Sequence, residues 1–435
     1  MTQIVAIVGR PNVGKSTLFN RMIGERKAII DNVSGVTRDR IYGDSEWNGR
    51  KFTVVDTGGF VKSSDDIFES AIRTQVEIAI EESEAIIFCV DVTTGITDLD
   101  EEVARMLRRS SKPVFLAVNK VDNSNRQIMA NEFWSLGFEN TLFISAISGS
   151  GSGDLLDAIT EVLPPEEEGN IEVDIPKFAI VGQPNVGKSS FTNALLGSER
   201  NIVTDIPGTT RDAIYTKYNK YDKEFYLIDT AGIRKKAKVH EDLEFYSVIR
   251  AVKAIDEADV CFLLIDATVG IESQDMAIFS IILRRKKGVV LLVNKWDLVE
   301  KETNTAKEYS EKLKKKLAPF TDVPIVFISA LEKQRIFKAI ETGIKVFNQR
   351  RTKIPTSKLN EVMLQAIDRF PPPTFRGHQI KIKYVTQLPV YYPSFAFFCN
   401  HPKELKTPYK NYLENQLRKN FSLTGVPISI FFRAK

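Results

Sequence analysis

The chain repeats itself once, and the repeat limits what it can fold into. Gly9-Arg-Pro-Asn-Val-Gly-Lys-Ser16 returns as Gly182-Gln-Pro-Asn-Val-Gly-Lys-Ser189, 173 positions later. Gly35-Val-Thr-Arg-Asp39 returns as Gly208-Thr-Thr-Arg-Asp212, and Asp56-Thr-Gly-Gly59 as Asp229-Thr-Ala-Gly232, both again at 173. Asn119-Lys-Val-Asp122 returns as Asn294-Lys-Trp-Asp297 at 175. Four motifs in one order at a nearly constant offset mark a duplicated domain of about 170 residues, not a short-period solenoid. A chain of 435 residues exceeds what one core usually organises, and the duplication accounts for most of that length.

Each copy alternates short apolar runs with segments long enough for crossover helices. The runs are Ile4–Val8, Phe52–Val55, Ala85–Val90, Val114–Val118 and Thr141–Ile144, then Phe178–Val181, Phe225–Ile228, Val260–Ile265, Val289–Val293 and Ile325–Ile328. Such runs suit parallel strands buried on both faces. Each copy is therefore expected to be an α/β domain with a doubly wound, mostly parallel sheet. Gly24 and Gly197 are placed to end the helix after each glycine-rich loop. Pro164-Pro-Glu-Glu-Glu-Gly-Asn170 reads as a solvated linker, and the repeat stops near Arg350-Arg-Thr-Lys-Ile-Pro355. The expected domains are 1–163 and 176–350, joined by an acidic linker at 164–175 and followed by 351–435.

A strand, then G-x-x-x-x-G-K-[ST], then a helix is the P-loop arrangement. The first copy supplies Gly9, Arg10, Pro11, Asn12, Val13, Gly14, Lys15 and Ser16; the second supplies Gly182, Gln183, Pro184, Asn185, Val186, Gly187, Lys188 and Ser189. Backbone N–H groups of such a loop wrap phosphates, and the helix N-terminus adds a favourable dipole. Lys15 and Lys188 are expected on the β- and γ-phosphates, and Ser16 and Ser189 on Mg²⁺. Asp56 and Asp229 each end an apolar run 41 residues beyond the P-loop lysine, where an acid holds Mg²⁺ directly or through water. They open the segments Asp56, Thr57, Gly58, Gly59, Phe60 and Asp229, Thr230, Ala231, Gly232, Ile233, in which Gly59 and Gly232 can offer an N–H to the γ-phosphate. Thr37 and Thr210 lie between P-loop and Asp, where a hydroxyl can reach Mg²⁺ and the segment can order with GTP.

The base is read further along. In Asn119, Lys120, Val121, Asp122 and in Asn294, Lys295, Trp296, Asp297, the carboxylate can accept from the N1–H and N2–H₂ edge of guanine. Adenine has no donors there and would leave Asp122 or Asp297 unpaired, which favours guanine by roughly 10⁴-fold. Ser145 with Ala146, and Ser329 with Ala330, would add a backbone contact near the guanine oxygen. GTP and GDP are thus the expected ligands. After D-x-x-G, many switch GTPases carry a glutamine that orients the attacking water; Phe60 and Ile233 stand there instead and cannot. Unaided hydrolysis is expected to be slow, roughly 10⁻⁴ to 10⁻² s⁻¹, with help from a partner, a cation or another part of the chain.

Composition narrows the setting. No apolar run approaches the roughly 20 residues of a membrane span, and the N-terminal apolar stretch is too short for a signal peptide. Cys89, Cys261 and Cys399 sit in or beside apolar runs without metal-ligand spacing, which suits buried thiols in a reduced cytoplasm. Charge is unevenly spread. Residues 351–435 hold 14 Lys and Arg against 4 Asp and Glu, a net of +10, whereas 1–350 carry a net of −6. A polyanionic partner at the C-terminal end follows, or simply a soluble basic surface. There Ile380, Ile382 and Tyr384 alternate with Lys381 and Lys383 as a half-buried strand. Ser394–Cys399 and Ile428–Phe432 read as two more strands, and Tyr409–Phe421 as a helix.

These residues resemble the Der, or EngA, family of bacterial tandem GTPases of ribosome assembly, over essentially the whole chain. The resemblance rests on two G-x-P-N-V-G-K-S loops separated by an acidic linker, and on Gly232-Ile-Arg-Lys-Lys-Ala-Lys238. It extends to Lys383-Tyr-Val-Thr-Gln387, Tyr412-Leu-Glu-Asn-Gln-Leu-Arg418 and Gly425-Val-Pro-Ile428. It implies a C-terminal KH-like domain, a monomeric protein, and a role in maturing the large (50S) ribosomal subunit through its rRNA. Residues 351–435 contain no GxxG loop, so the usual single-strand RNA grip is not expected; basic charge and aromatics could contact folded rRNA or pack against a G domain. The resemblance also implies K⁺-stimulated hydrolysis, with Asn12 and Asn185 coordinating the ion; both could instead shape the loop. Arg234, Lys235, Lys236 and Lys238 could touch RNA or the C-terminal domain, or form a solvated face. An RNA-binding scaffold with inert G domains is the competing class. A metabolic P-loop kinase is disfavoured by the guanine-reading motifs.

Overall fold

The computed structural model of the protein describes residues 3–24, 42–57, 65–164, 175–196, 215–221, 223–228, 244–300, 302, 304–374 and 379–434. The chain divides into two compact units, Met1–Ile171 with His240–Lys253, and Glu172–Val239 with Ala254–Lys435.

The first unit is built on β1 (Ile4–Val8), α1 (Lys15–Ile23), β2 (Tyr42–Trp47), β3 (Arg50–Asp56), α2 (Asp65–Glu82), β4 (Ala85–Asp91), α3 (Asp98–Arg108), β5 (Val114–Asn119), α4 (Ser124–Ala130), β6 (Thr141–Phe143) and α5 (Ser152–Val162). Its sheet runs β2-β3-β1-β4-β5-β6, parallel except for β2. Every residue of β1 and β4 is buried, because helices cover both faces. Val5, Ile7, Ile87 and Cys89 point to the core under α1 and α5; Ala6, Val8, Phe88 and Val90 point to the core under α2 and α3. The chain leaves β1 for β3 on one side and β4 on the other, so the loop after β1 sits at the switch point where open α/β sheets bind ligands.

The second unit opens with β7 (Lys177–Gly182), α6 (Lys188–Leu196), β8 (Tyr215–Lys220) and β9 (Lys223–Ile228). α7 (Glu244–Glu257) is divided between the units. There follow β10 (Val260–Asp266), α8 (Ser273–Arg284), β11 (Gly288–Asn294), α9 (Thr305–Lys316), β12 (Ile325–Phe327) and α10 (Ile336–Arg351). The order β12-β11-β10-β7-β9-β8 repeats the first sheet strand for strand, again with one antiparallel edge. The ten predicted strands are all present. β2 and β8 were not predicted, because Tyr42-Gly-Asp-Ser-Glu-Trp47 and Tyr215-Thr-Lys-Tyr-Asn-Lys220 lack an apolar run. They are edge strands, half wetted, and in β8 Thr216 and Tyr218 are buried while Asn219 is exposed.

The same unit also contains α11 (Thr356–Arg369), β13 (Ile382–Gln387), β14 (Ser394–Cys399), α12 (Thr407–Asn420) and β15 (Ser429–Ala434). Their sheet runs β13-β14-β15, antiparallel then parallel. Leu359, Met363, Leu413 and Leu417 of the two helices pack on Val385, Phe395, Phe397 and Ile430. One expectation needs correcting. Alternation would put Tyr384 on the face of Ile380 and Ile382, but a bulge between Ile382 and Tyr384 shifts the register. Ile380 and Ile382 stay buried, and Tyr384 emerges on the opposite face.

This small domain is joined to the second P-loop domain. Gly425 N–H donates to Asp322 O at 2.7 Å and Val289 N–H to Gly425 O at 2.8 Å. Val426 belongs to the same apolar core as Phe178, Phe262 and Val290. Arg418 reaches Asp322 at 3.3 Å and lies over the Phe320 ring at 4.6 Å. Packing against a G domain, one of the two expectations for this region, is therefore observed.

Candidate nucleotide-binding sites

Each P-loop folds as its glycines dictate. Gly14 and Gly187 have φ of 97° and 95°, and a Cβ on either would strike the amide of Asn119 or Asn294. Asn12 and Asn185 also take the left-handed region, φ 63° and 61°, which asparagine tolerates better than most residues. Val13 and Val186 turn inward and are buried, so the loop is pinned by one apolar side chain. Pro11 and Pro184 are partly exposed beside them. α1 begins at Lys15 with no side-chain cap and no acid in its first turn, leaving its N–H groups and dipole to an anion.

Lys15 Nζ donates to Gly9 O at 2.8 Å and to Arg10 O at 2.7 Å; Lys188 Nζ donates to Gly182 O at 2.9 Å and to Gln183 O at 2.6 Å. Burial lowers the Lys15 pKa, and the Asp56 carboxylate works against that shift. Ser16 Oγ donates to Asp56 Oδ2 at 2.6 Å, so two hard oxygens from different elements converge, as a Mg²⁺ site requires. Thr57 is turned away, its hydroxyl donating to Ile7 O at 2.8 Å. Thr37, Gly58, Gly59 and Phe60 of the first site lie outside the described residues, as do Thr210, Asp229, Thr230, Ala231, Gly232 and Ile233 of the second. So do Gly197, Arg234, Lys235, Lys236, Lys238 and most of the linker.

The asparagines of the base-reading motifs join three distant segments. Asn119 Nδ2 donates to Val13 O at 2.8 Å, and its Oδ1 accepts from Ala146 N–H at 2.9 Å. Asn294 does the same with Val186 O at 2.8 Å and Ala330 N–H at 2.9 Å. Lys120 and Lys295 hold left-handed φ of 68° and 60°, and the next residues, Val121 and Trp296, donate their N–H to Ile144 O and Ile328 O. Ser145 and Ser329 use their hydroxyls to accept from the N–H of Ser148 and Glu332, closing the loop on itself. Asp122 accepts from Arg126 at 2.6 Å and Asn123 at 2.9 Å, which orients its carboxylate. Asp297 lies on the short 3₁₀ turn Trp296–Leu298. Among the described residues, both domains join the P-loop to the Ser-Ala loop through the same asparagine.

Against known proteins, the family described as 50S ribosome-binding GTPase matches residues 4–120 and again 177–295. The KH-domain-like family of EngA bacterial GTPase enzymes matches residues 353–433. The chain is 61% identical to GTPase Der of Christiangramia forsetii over 435 residues, covering all of both chains. It is 57% identical to GTPase Der of Bacteroides fragilis and 56% to that of Porphyromonas gingivalis, each with full coverage of both. The chain belongs to the GTPase Der family.

This Der-family chain also carries supporting residues that motif reading missed. Lys120 Nζ pairs with Asp91 at 2.5 Å and Lys295 Nζ with Asp266 at 2.6 Å. Burial pushes both aspartates up, but the lysine bonds and those from Thr93 and Thr268 outweigh it and lower their pKa values. Each aspartate ends the strand beside the P-loop strand, 35 or 37 residues beyond Asp56 or Asp229; that shared placement was the available signal. The second P-loop residue is anchored in both copies, but differently. Arg10 Nε pairs with Asp100 at 3.0 Å, whereas Gln183 Nε2 donates to Asp275 at 2.9 Å. Both aspartates also close capping boxes, with Thr97 on α3 and Glu272 on α8. Arg21 of α1 donates to Ala146 O at 3.0 Å and to Ile147 O, tying the Ser145-Ala146 loop of the first domain to its P-loop helix. Ala194 occupies the corresponding place in the second site. The three cysteines are buried, and burial pushes Cys89 and Cys261 up to about 12, so neither is a thiolate at neutral pH. Among the described residues no helix is long and apolar enough to cross a membrane.

Proposed function

We propose that the chain is a cytoplasmic, monomeric GTP-binding and GTP-hydrolysing switch acting in maturation of the large (50S) ribosomal subunit. Its working parts are taken as G domains at 1–163 and 176–350, a linker at 164–175 and a basic KH-like domain at 351–435. The observation that carries the reading is the twofold occurrence of one link: Asn119 and Asn294 each bind P-loop and guanine loop at once. A loop that reads phosphates and a loop that reads guanine are thereby fixed at one spacing in both sites.

In this reading Gly9 to Ser16 and Gly182 to Ser189 hold the phosphates, and Asp122 and Asp297 read the base. The Lys15 and Lys188 ammonium groups, resting on loop carbonyls, transfer to phosphate oxygens, which are stronger acceptors. Ser16, Thr37 and Asp56, with Ser189, Thr210 and Asp229, would hold Mg²⁺, which supplies charge neutralisation between the β- and γ-phosphates. Asn12 and Asn185, exposed on left-handed turns, support the assignment of K⁺ as activator. Phe60 and Ile233 cannot orient water, so turnover depends on that cation or on the ribosome. The test is GTP turnover in KCl against NaCl, together with co-sedimentation with large subunits in a non-hydrolysable GTP analogue. Faster turnover in KCl and nucleotide-dependent, salt-sensitive binding are expected. No hydrolysis in either salt would favour an RNA-binding scaffold with structural G domains.

A further inference from the structure

The bulge in β13 has a consequence for the free face of the third sheet. It sends Tyr384 out beside Phe398, and the two rings stack at 4.3 Å and 11°. Phe398 is in turn paired across the sheet with Arg433, so one row reads Tyr384, Phe398, Arg433. The next row is Thr386, Ala396, Phe431, whose two smaller members leave the Phe431 ring 43% exposed. Tyr384 is 36% exposed and lies on β13, the edge of this sheet, so no strand of the sheet covers its outer side. Ser394 and Ala396, in the middle strand of this face, are fully buried; the exposed part is Tyr384 on one edge strand and Phe431 and Arg433 on the other.

Cross-strand pairing accounts for Tyr384 against Phe398. It accounts neither for Phe431 nor for the charge around the rings. Residues 369–403 contain no Asp or Glu, and neither do 421–435. Lys381, Lys383 and Arg433 are all exposed. An aromatic surface framed by cations, with no carboxylate on its own three strands, has the chemistry of a single-strand stacking platform. The domain needs such a device if it is to hold unpaired RNA at all, because its glycines are Gly377 and Gly425 and no GxxG loop exists.

We propose that this face is a base-stacking platform for single-stranded RNA, with Tyr384, Phe398 and Phe431 taking bases and Lys381, Lys383 and Arg433 lying along the phosphates. The inference rests on the RNA-facing role proposed above and adds the surface and the form of the RNA. Bases extend the Tyr384–Phe398 stack from the edge and lie on the Phe431 ring.

The experiment uses the full chain and fluorescein-labelled 12-nucleotide oligo(U) and oligo(A), with a 12-base-pair RNA duplex as comparison, read by anisotropy at fixed salt. Both single strands are expected to bind more tightly than the duplex. Tyr384→Ala and Phe431→Ala should each weaken single-strand binding about fivefold or more, with the salt dependence unchanged. Tyr384→Trp should restore binding, and Arg433→Gln should flatten the salt dependence by about one ion. Thermal unfolding and GTP turnover should stay at wild-type values. If the wild-type chain binds the single strands and the aromatic variants bind equally well, the platform is wrong while an RNA-facing role stands. If the chain co-sediments with large subunits but binds no single strand, the platform is again wrong and the partner remains. If it binds neither, the RNA-facing role fails with it.

Discussion

Asp275 shows how one residue separates two otherwise matching sites. It is 2% exposed, its Oδ2 accepts from Gln183 and from Glu272 N–H, and its Oδ1 has no partner among the described residues. Burial raises its pKa from 3.8 to about 6, against the bonds from Glu272 N–H and Gln183, which lower it; the Glu272 charge adds to the rise and Lys188 opposes it. The native chain therefore holds this proton more tightly than the unfolded chain. The stability it contributes is complete below about 4 and lost as pH rises through about 6. Urea unfolding from pH 4 to 7 should show stability of the second G domain falling in that window, by on the order of 1–3 kcal/mol. Asp275→Asn should lack the fall, and Gln183→Arg, which copies the Arg10–Asp100 pair, should move it to lower pH. Equal profiles for all three proteins would refute the assignment. The carboxylates proposed to read the base give a second residue-scale prediction. Asp122→Asn and Asp297→Asn should each weaken GTP at their own site roughly 10²-fold or more, and improve binding of xanthosine triphosphate, whose C2 carbonyl accepts from an amide. Isothermal titration of each variant checks it, and unchanged GTP affinity would contradict guanine reading there.

At the scale of elements, the strands and loops that position the sites are over-determined. Asn119→Ala would remove both of its bonds, leaving the buried Val13 carbonyl with only the weak Cys89 Sγ bond at 3.7 Å and the Ala146 N–H without this acceptor. A loss of about 2–5 kcal/mol is expected in denaturant unfolding of the first domain, and a loss below 1 kcal/mol would argue against the link. The ten strands could be read because each carries a short apolar run, and the P-loops because each lies between such a strand and a helix. β2 and β8 could not be read, since an edge strand needs only alternate burial and tolerates Asp44 and Asn219. Asp91 and Asp266 carried a signal only in their shared placement at the end of the strand beside the P-loop strand, and Asp100 and Asp275 carried none, because nothing local distinguishes an acid that holds the P-loop from one that only caps a helix. Tyr384 was placed on the wrong face because periodicity assumes an unbroken register, and one bulge reverses it. Asn12 and Asn185 were legible as motif members, but their left-handed turns are a property of the folded loop.

At the scale of the molecule, two nucleotide domains are followed by a basic domain that shares a core residue with the second of them. Gly425 has φ of 74°, and a side chain there would meet Val289 O at 2.8 Å and Pro324 and Val346 at 2.9 Å. Gly425→Val should therefore separate the KH-like domain from the second G domain. Scanning calorimetry should resolve an additional low-temperature transition; a single unaltered transition would mean that the contact is dispensable. The central claim is that one chain holds two complete guanine-nucleotide sites, and the stoichiometry of binding tests it most directly. Isothermal titration with GDP in Mg²⁺ should give two equivalents per wild-type chain, one per chain in either Asp122→Asn or Asp297→Asn, and no competition by ATP. A single equivalent in the wild type, or ATP competing as well as GDP, would contradict it.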